Sequence, residues 1–131
     1  FLNERFRMLK EGSGIYDRSI YGDLIFASVL HQDGHMTNQE YNIYKTLFSN
    51  MEPHIQKPDL LVYLDTTPEK SYERIRTRGR ASEQGIELSY LRKLDDTYKK
   101  WLDRYDGEIK IFEWNEDHSY DDVLEYVKDF V

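Results

Sequence analysis

The sequence contains no cysteine, which excludes a disulfide framework and any thiolate metal site. It has three prolines, at 53, 58 and 68, so long stretches are free to form unbroken helix. No apolar run approaches the length of a membrane span or the core of a signal peptide. Positive charge is also in short supply: 18 Lys and Arg stand against 25 Asp and Glu, a net charge of -7. That balance argues against a nucleic-acid polymer or an anionic membrane as the main partner, since both demand a broad positive surface. These absences describe a soluble, cytoplasmic protein, and 131 residues fit a single domain spanning 1–131.

Against this acidic background one stretch concentrates arginine. Arg74, Arg76, Arg78 and Arg80 fall on alternate positions between Pro68 and Tyr90. Thr67 reads as an N-cap, Pro68 suits the first helical position, and Gly79 is the expected stop. Arg74 and Arg78 then share a helical face, with Arg80 just beyond its end. Several planar guanidiniums converging on one place suit a phosphoryl group, whose charge is spread over three oxygens. The competing interpretation is a solvated run of cations that offsets the helix dipole.

The rest of the chain alternates helical and strand patterns. Phe1, Leu2, Phe6 and Leu9 recur at helical spacing, and Gly12 with Gly14 closes that helix. The chain opens inside this helix with neither cap nor initiator Met, the pattern expected of an N-terminally truncated protein. Ile15-Tyr16 is a short apolar run, read as a first strand leading into Asp17-Arg18-Ser19. Helices are predicted over Tyr21 to His31 and over Thr37 to Met51, where Thr37 and Glu40 have the spacing of a capping box. Strands are predicted at Leu60 to Leu64 and Ile109 to Glu113. Between them, apolar residues from Leu88 to Tyr105 predict one long helix ended by Asp106-Gly107, and a last helix runs from about Tyr120 to Phe130.

Such alternation indicates an α/β fold, a parallel sheet flanked by helices, with ligands at the C-terminal strand ends. Asp17, Asp65 and the Asn115 to His118 stretch fall there. Asp17 is a carboxylate placed to hold Mg²⁺ directly or through water, or else to cap a helix. His31 and His35 straddle Gly34 in a loop and are not read as metal ligands, and Asp95-Asp96 reads as a solvated face.

The eleven residues Asp17-Arg18-Ser19-Ile20-Tyr21-Gly22-Asp23-Leu24-Ile25-Phe26-Ala27 closely resemble the segment that marks the deoxyribonucleoside kinases. The resemblance continues in order through Pro58 to Leu64, Thr67-Pro68-Glu69, Glu73-Arg74-Ile75, Arg78-Gly79-Arg80, Glu83-Gln84-Gly85-Ile86, Tyr90-Leu91, Tyr98 and Trp101. It implies a P-loop kinase fold that moves the γ-phosphoryl of ATP onto the 5′-hydroxyl of a deoxyribonucleoside in nucleotide salvage. In that family the acid matching Asp17 helps bind Mg²⁺, and the arginine matching Arg18 contacts the 5′ end of the substrate. Those matching Arg74, Arg78 and Arg80 form a lid over the phosphates, and the glutamate matching Glu83 binds the 3′-hydroxyl. Asp23 and Phe26 match positions near the nucleobase, and Asn115, Glu116 and Asp117 match the loop that contacts the adenine of ATP.

One departure stands out. None of the seven glycines precedes a lysine, so no Gly-x-x-x-x-Gly-Lys-(Ser or Thr) phosphate cradle is present. The family's cradle and its general base lie upstream of the residue matching Phe1, and the 131 residues alone are expected to be inactive. Two other readings remain open: a noncatalytic nucleotide-binding domain derived from such a kinase, and a thymidylate kinase-like nucleoside monophosphate kinase. The resemblance also implies a homodimer. In that family an aspartate matching Asp23 with a cationic partner, for which Arg5 is the candidate, goes with a purine deoxyribonucleoside as acceptor; deoxycytidine and broad specificity stay open.

Overall fold

The computed structural model describes residues 2–130 except Ser13 and His118. The expectations that touched Phe1 and His118 therefore lie outside the described residues. The chain packs as two compact units, one formed by residues 1–56 and 96–103, the other by 57–95 and 104–131.

The first unit is helical. Helix α1 spans Leu2–Glu11, α2 Ile20–Gln32 and α3 Asn38–Met51, with a single 3₁₀ turn at Glu52–His54. Helix α2 packs against both α1 and α3 and is apolar on nearly every side, as a helix surrounded by others must be. Ile20 and Val29 are fully buried, and the Tyr21 ring meets Phe48 edge-on at 5.8 Å and Trp101 at 5.3 Å. The predicted capping box forms: Thr37 Oγ1 accepts from the Glu40 amide, and the Glu40 carboxylate accepts from the Thr37 amide at 2.8 Å. The bonds that the Thr37 amide and then the Thr37 hydroxyl donate to the Glu40 carboxylate hold that carboxyl below the usual range, because they favour its charged form.

The second unit carries the sheet. Strands β1, Leu61–Asp65, and β2, Ile109–Glu113, pair in parallel, with Leu61 opposite Ile109 and Asp65 opposite Glu113. Parallel strands need a long crossover, here made of α4 (Pro68–Arg78), a 3₁₀ turn at Ala81–Glu83 and α5 (Leu88–Leu102). The residues of α5 from Asp96 onward belong to the first unit. Helix α6, Asp121–Lys128, follows β2. Every described residue that is both apolar and fully buried belongs to the first unit, whereas Leu64 and Ile111 on the strands remain 40% and 53% exposed.

Three expectations are corrected. Ile15-Tyr16 is not a strand: Ile15 is 82% exposed, and neither residue has a ladder partner among the described residues. The cap of α2 is Ser19, whose hydroxyl accepts from the Tyr21 amide, and not Asp17. Helix α5 ends at Leu102, before Tyr105, because the chain must turn there into β2. Lys57 anchors Asp106 at 2.7 Å, and the Leu61 amide reaches the Glu108 carbonyl at 2.9 Å. No helix among the described residues is long and apolar enough to cross a membrane.

Candidate active site

The candidate residues form two groups, one in each unit. In the first, the turn between α1 and α2 presents Asp17 and Arg18 to solvent. Arg18 has φ 64, the left-handed region, although it is not glycine. An L-residue there costs about 1 kcal/mol, and such conformations persist where the surroundings or a function demand them. The turned backbone carries the Arg18 guanidinium over Phe26, 5.0 Å from the ring centroid, so these two site candidates meet.

Arg5 reaches the same turn from α1. Its Nη1 donates to the Asp17 carbonyl at 3.0 Å, and its Nε lies 3.1 Å from Asp23 Oδ2. The Nε and Oδ2 atoms are both buried, and the approach is an ion pair whose N–H is not aimed well enough for a hydrogen bond. A donor and an acceptor thus sit side by side with bonding capacity left over. Tyr44 of α3 lies near enough to feel the charges of Asp23 and Arg5. Burial, and then the negative charge of Asp23, push its phenol up to about 12, so it stays a neutral hydroxyl at any physiological pH. The sequence pattern gave no sign of Tyr44, whose nearness to Asp23 depends on how α3 packs on α2.

In the second unit the pairing of β1 with β2 brings the residues after both strands to one edge of the sheet. Thr67 caps α4, and Gly79 closes it in the left-handed conformation at φ 67. Arg74 turns to the loop after β2, where its Nη2 donates to the carbonyls of Asn115 at 3.2 Å and Glu116 at 3.3 Å. Asn115 answers with its side chain, Oδ1 accepting from the Thr67 amide at 2.8 Å. The start of the arginine helix and the loop after β2 are therefore tied by both residues, while the side chains of Glu116 and Asp117 are exposed.

Arg78 takes a different partner, although it shares a helical face with Arg74. Its Nε and Nη2 both donate to Glu83 Oε2, at 3.1 and 2.6 Å, and Arg80 Nη1 lies 3.5 Å from Glu83 Oε1. The hydrogen bond from Arg78 is the main cause holding the Glu83 carboxyl below its ordinary value. Three of the residues read from the sequence, Arg78, Arg80 and Glu83, are thus brought together, and Arg74 stands apart from them.

Among the described residues no three acidic or histidine side chains gather as a metal site. The exposed Asp17 carboxylate still fits Mg²⁺, which commonly takes one or two protein carboxylates and fills its shell with water and substrate phosphates.

The parallel sheet with its helical crossover, and arginines beyond the strand ends, agree with a P-loop kinase-type fold. The same architecture is found in the solved deoxyadenosine kinase of M. mycoides, described with the products dCMP and a flexible dCDP bound. It superposes with a TM-score of 0.85 at 23% identity, over 99% of this chain and 70% of that one. The sequence profile of the deoxynucleoside kinases matches residues 1–131, and the chain belongs to that family. It is 36% identical to the deoxyadenosine kinase of Dictyostelium discoideum, over 97% of this chain and 55% of that protein. It is also 35% identical to the deoxycytidine kinase of Bos taurus, over 99% of this chain and 56% of that protein. The chain spans about half the length of these curated relatives.

Proposed function

We propose that the full-length protein containing this chain transfers the γ-phosphoryl of ATP to the 5′-hydroxyl of a purine deoxyribonucleoside. The acceptor oxygen attacks the γ-phosphorus, the bond from that phosphorus to the β,γ-bridging oxygen breaks, and ADP leaves. The hydroxyl proton passes to a base not among these residues. Arg18 orients the 5′ end, Arg78 and Arg80 offset charge on the moving group, and Glu83 accepts from the 3′-hydroxyl. Asn115, Glu116 and Asp117 border the adenine of ATP, and Arg74 steadies that loop. Asp17 would hold Mg²⁺, which when bound neutralises phosphate charge.

The purine preference rests on the resemblance, in which an aspartate matching Asp23 works with a cationic partner; the structure does pair Asp23 with a cation, Arg5 Nε lying 3.1 Å from Asp23 Oδ2. The name of the Dictyostelium relative agrees with a purine acceptor, and that of the bovine relative supports a second reading in which deoxycytidine is also accepted. Initial rates on the full-length protein with ATP and each of deoxyadenosine, deoxyguanosine, deoxycytidine, thymidine and thymidylate test the assignment. A purine deoxyribonucleoside should give the highest kcat/KM. Thymidylate as the best acceptor would overturn it in favour of a monophosphate kinase, and nucleotide binding without turnover in favour of a noncatalytic domain.

The same reading makes the protein a cytoplasmic homodimer. Its support is the outer face of α3, where Ile43 and Leu47 are 55% and 47% exposed, an apolar strip of the kind a second copy covers. Light scattering on the full-length protein at micromolar concentration should give twice the chain mass, and a monomer would remove the dimer from the reading.

A further inference from the structure

Arg76 lies on α4 between Arg74 and Arg78, yet it takes no part in the site described above. Its surroundings show a different use. Tyr72, one turn earlier, accepts from Arg76 Nη2 at 2.8 Å, and its ring centroid lies 4.8 Å from the guanidinium carbon. Ring and hydroxyl together fix the plane of the guanidinium. Nη1 is left to donate to Gln84 Oε1 at 3.2 Å. The other end of the Gln84 amide is also bound, since Nε2 donates to the Arg80 carbonyl at 3.0 Å. A continuous chain of bonds thus runs from the helix to the segment that carries Arg80 and Glu83.

Besides this chain of bonds, the segment is held by the two bonds from Arg78 to Glu83. It is a single 3₁₀ turn, Ala81–Glu83, with Ala81 and Ser82 exposed and Glu83 half-buried, and such short turns have poor hydrogen-bond geometry. Glycines flank it on both sides. Gly79 adopts φ 67, and a Cβ added at Gly85 would meet nothing within 4 Å. From the Tyr72–Arg76–Gln84 chain we infer that Arg76 is a positioning residue, a latch that holds the 80–84 segment so that Arg80 and Glu83 stand where the acceptor needs them. The consequence for catalysis rests on the function proposed above, whereas the latch itself is a matter of geometry.

The ordinary alternative is that Arg76 only offsets the dipole at the end of α4. Lysine separates the two roles, because it keeps the charge but cannot bind Tyr72 and Gln84 through one rigid plane. The experiment compares Arg76→Lys, Arg76→Ala, Gln84→Leu and the Arg76→Ala/Gln84→Leu double variant in the full-length protein. One readout is the exchange with water of the Arg78 Nε–H, followed by ¹⁵N NMR, which reports the bond to Glu83 without any turnover. The other is steady-state kinetics with 2′-deoxy and 2′,3′-dideoxy acceptors.

In all three single variants the Arg78 Nε–H is expected to exchange faster. The kcat should fall about fivefold, the preference for a 3′-hydroxyl should shrink, and KM for ATP should stay unchanged. The double variant should be no worse than the worse of its two singles, as members of one chain of bonds behave. An Arg76→Lys protein that matches wild type in both readouts, or single effects that simply add, would overturn the latch. Absence of kinase activity in wild type would sink the proposed function alone, and the Arg78 exchange rates would still decide the latch.

Discussion

Replacing Arg78 or Arg80 by alanine in the full-length protein is expected to lower kcat by roughly 10² or more, with acceptor KM much less affected. In the structure both guanidiniums gather on Glu83, and their side chains are 48% and 63% exposed. Exposed ion pairs add little to stability, so thermal unfolding should hardly move in either variant. The loss would therefore fall on chemistry and leave the fold intact. Arg78→Lys should recover little, because two donors meet one carboxylate oxygen through the planar fork that lysine lacks. Glu83→Gln provides the contrast: it should weaken acceptors that carry a 3′-hydroxyl and spare 3′-deoxy analogues. Steady-state kinetics on these variants make the comparison, and unchanged kcat in both alanine variants would return the arginine run to a solvated helix end.

The second large effect is expected at Asp23. Asp23→Ala should cut kcat/KM for purine acceptors by about 10² to 10³, because a base edge would then meet an unanswered donor. This substitution, unlike the lid variants, should also destabilise the protein. It leaves the Arg5 cation, whose side chain is only 26% exposed, without its partner, at a cost of about 2 kcal/mol. Removing both groups together as Arg5→Leu/Asp23→Leu should restore much of the stability and none of the purine preference. Thermal melts and acceptor kinetics on the two singles and the double check this. A double variant that keeps the purine preference would show that the pair braces α1 against α2 and does not read the base.

The local parts of this structure were legible in the sequence because local chemistry determines them. Thr67, Pro68 and Gly79 mark the ends of α4 through capping, a fixed φ and a left-handed C-cap, and the helix runs between them. Thr37 and Glu40 did the same for the start of α3. Errors arose where a distant segment decides. A strand at 15–16 needed a ladder partner that no pattern in the run itself can guarantee, and α5 stops early because Lys57 and Glu108 draw the chain toward β2. The site followed the same division. Its residue types were visible as a motif, but Arg74 binds carbonyls 41 and 42 positions away, and Tyr44 joins Asp23 only through helix packing. Spacing along α4 placed Arg74 beside Arg78, and the partners available in space sent them in different directions.

The left-handed backbone at Arg18 sets two demands on one position against each other. Glycine would adopt φ 64 without strain, so at this residue the most stable chain and the most active one call for different side chains. Random substitution screened for thermostability would favour glycine here and discard the guanidinium that lies over Phe26. A stabilised variant chosen on melting temperature alone would then fold better and lack the guanidinium proposed above to orient the 5′ end of the acceptor. Position 18 is accordingly one that any stability-driven redesign of this protein should leave fixed.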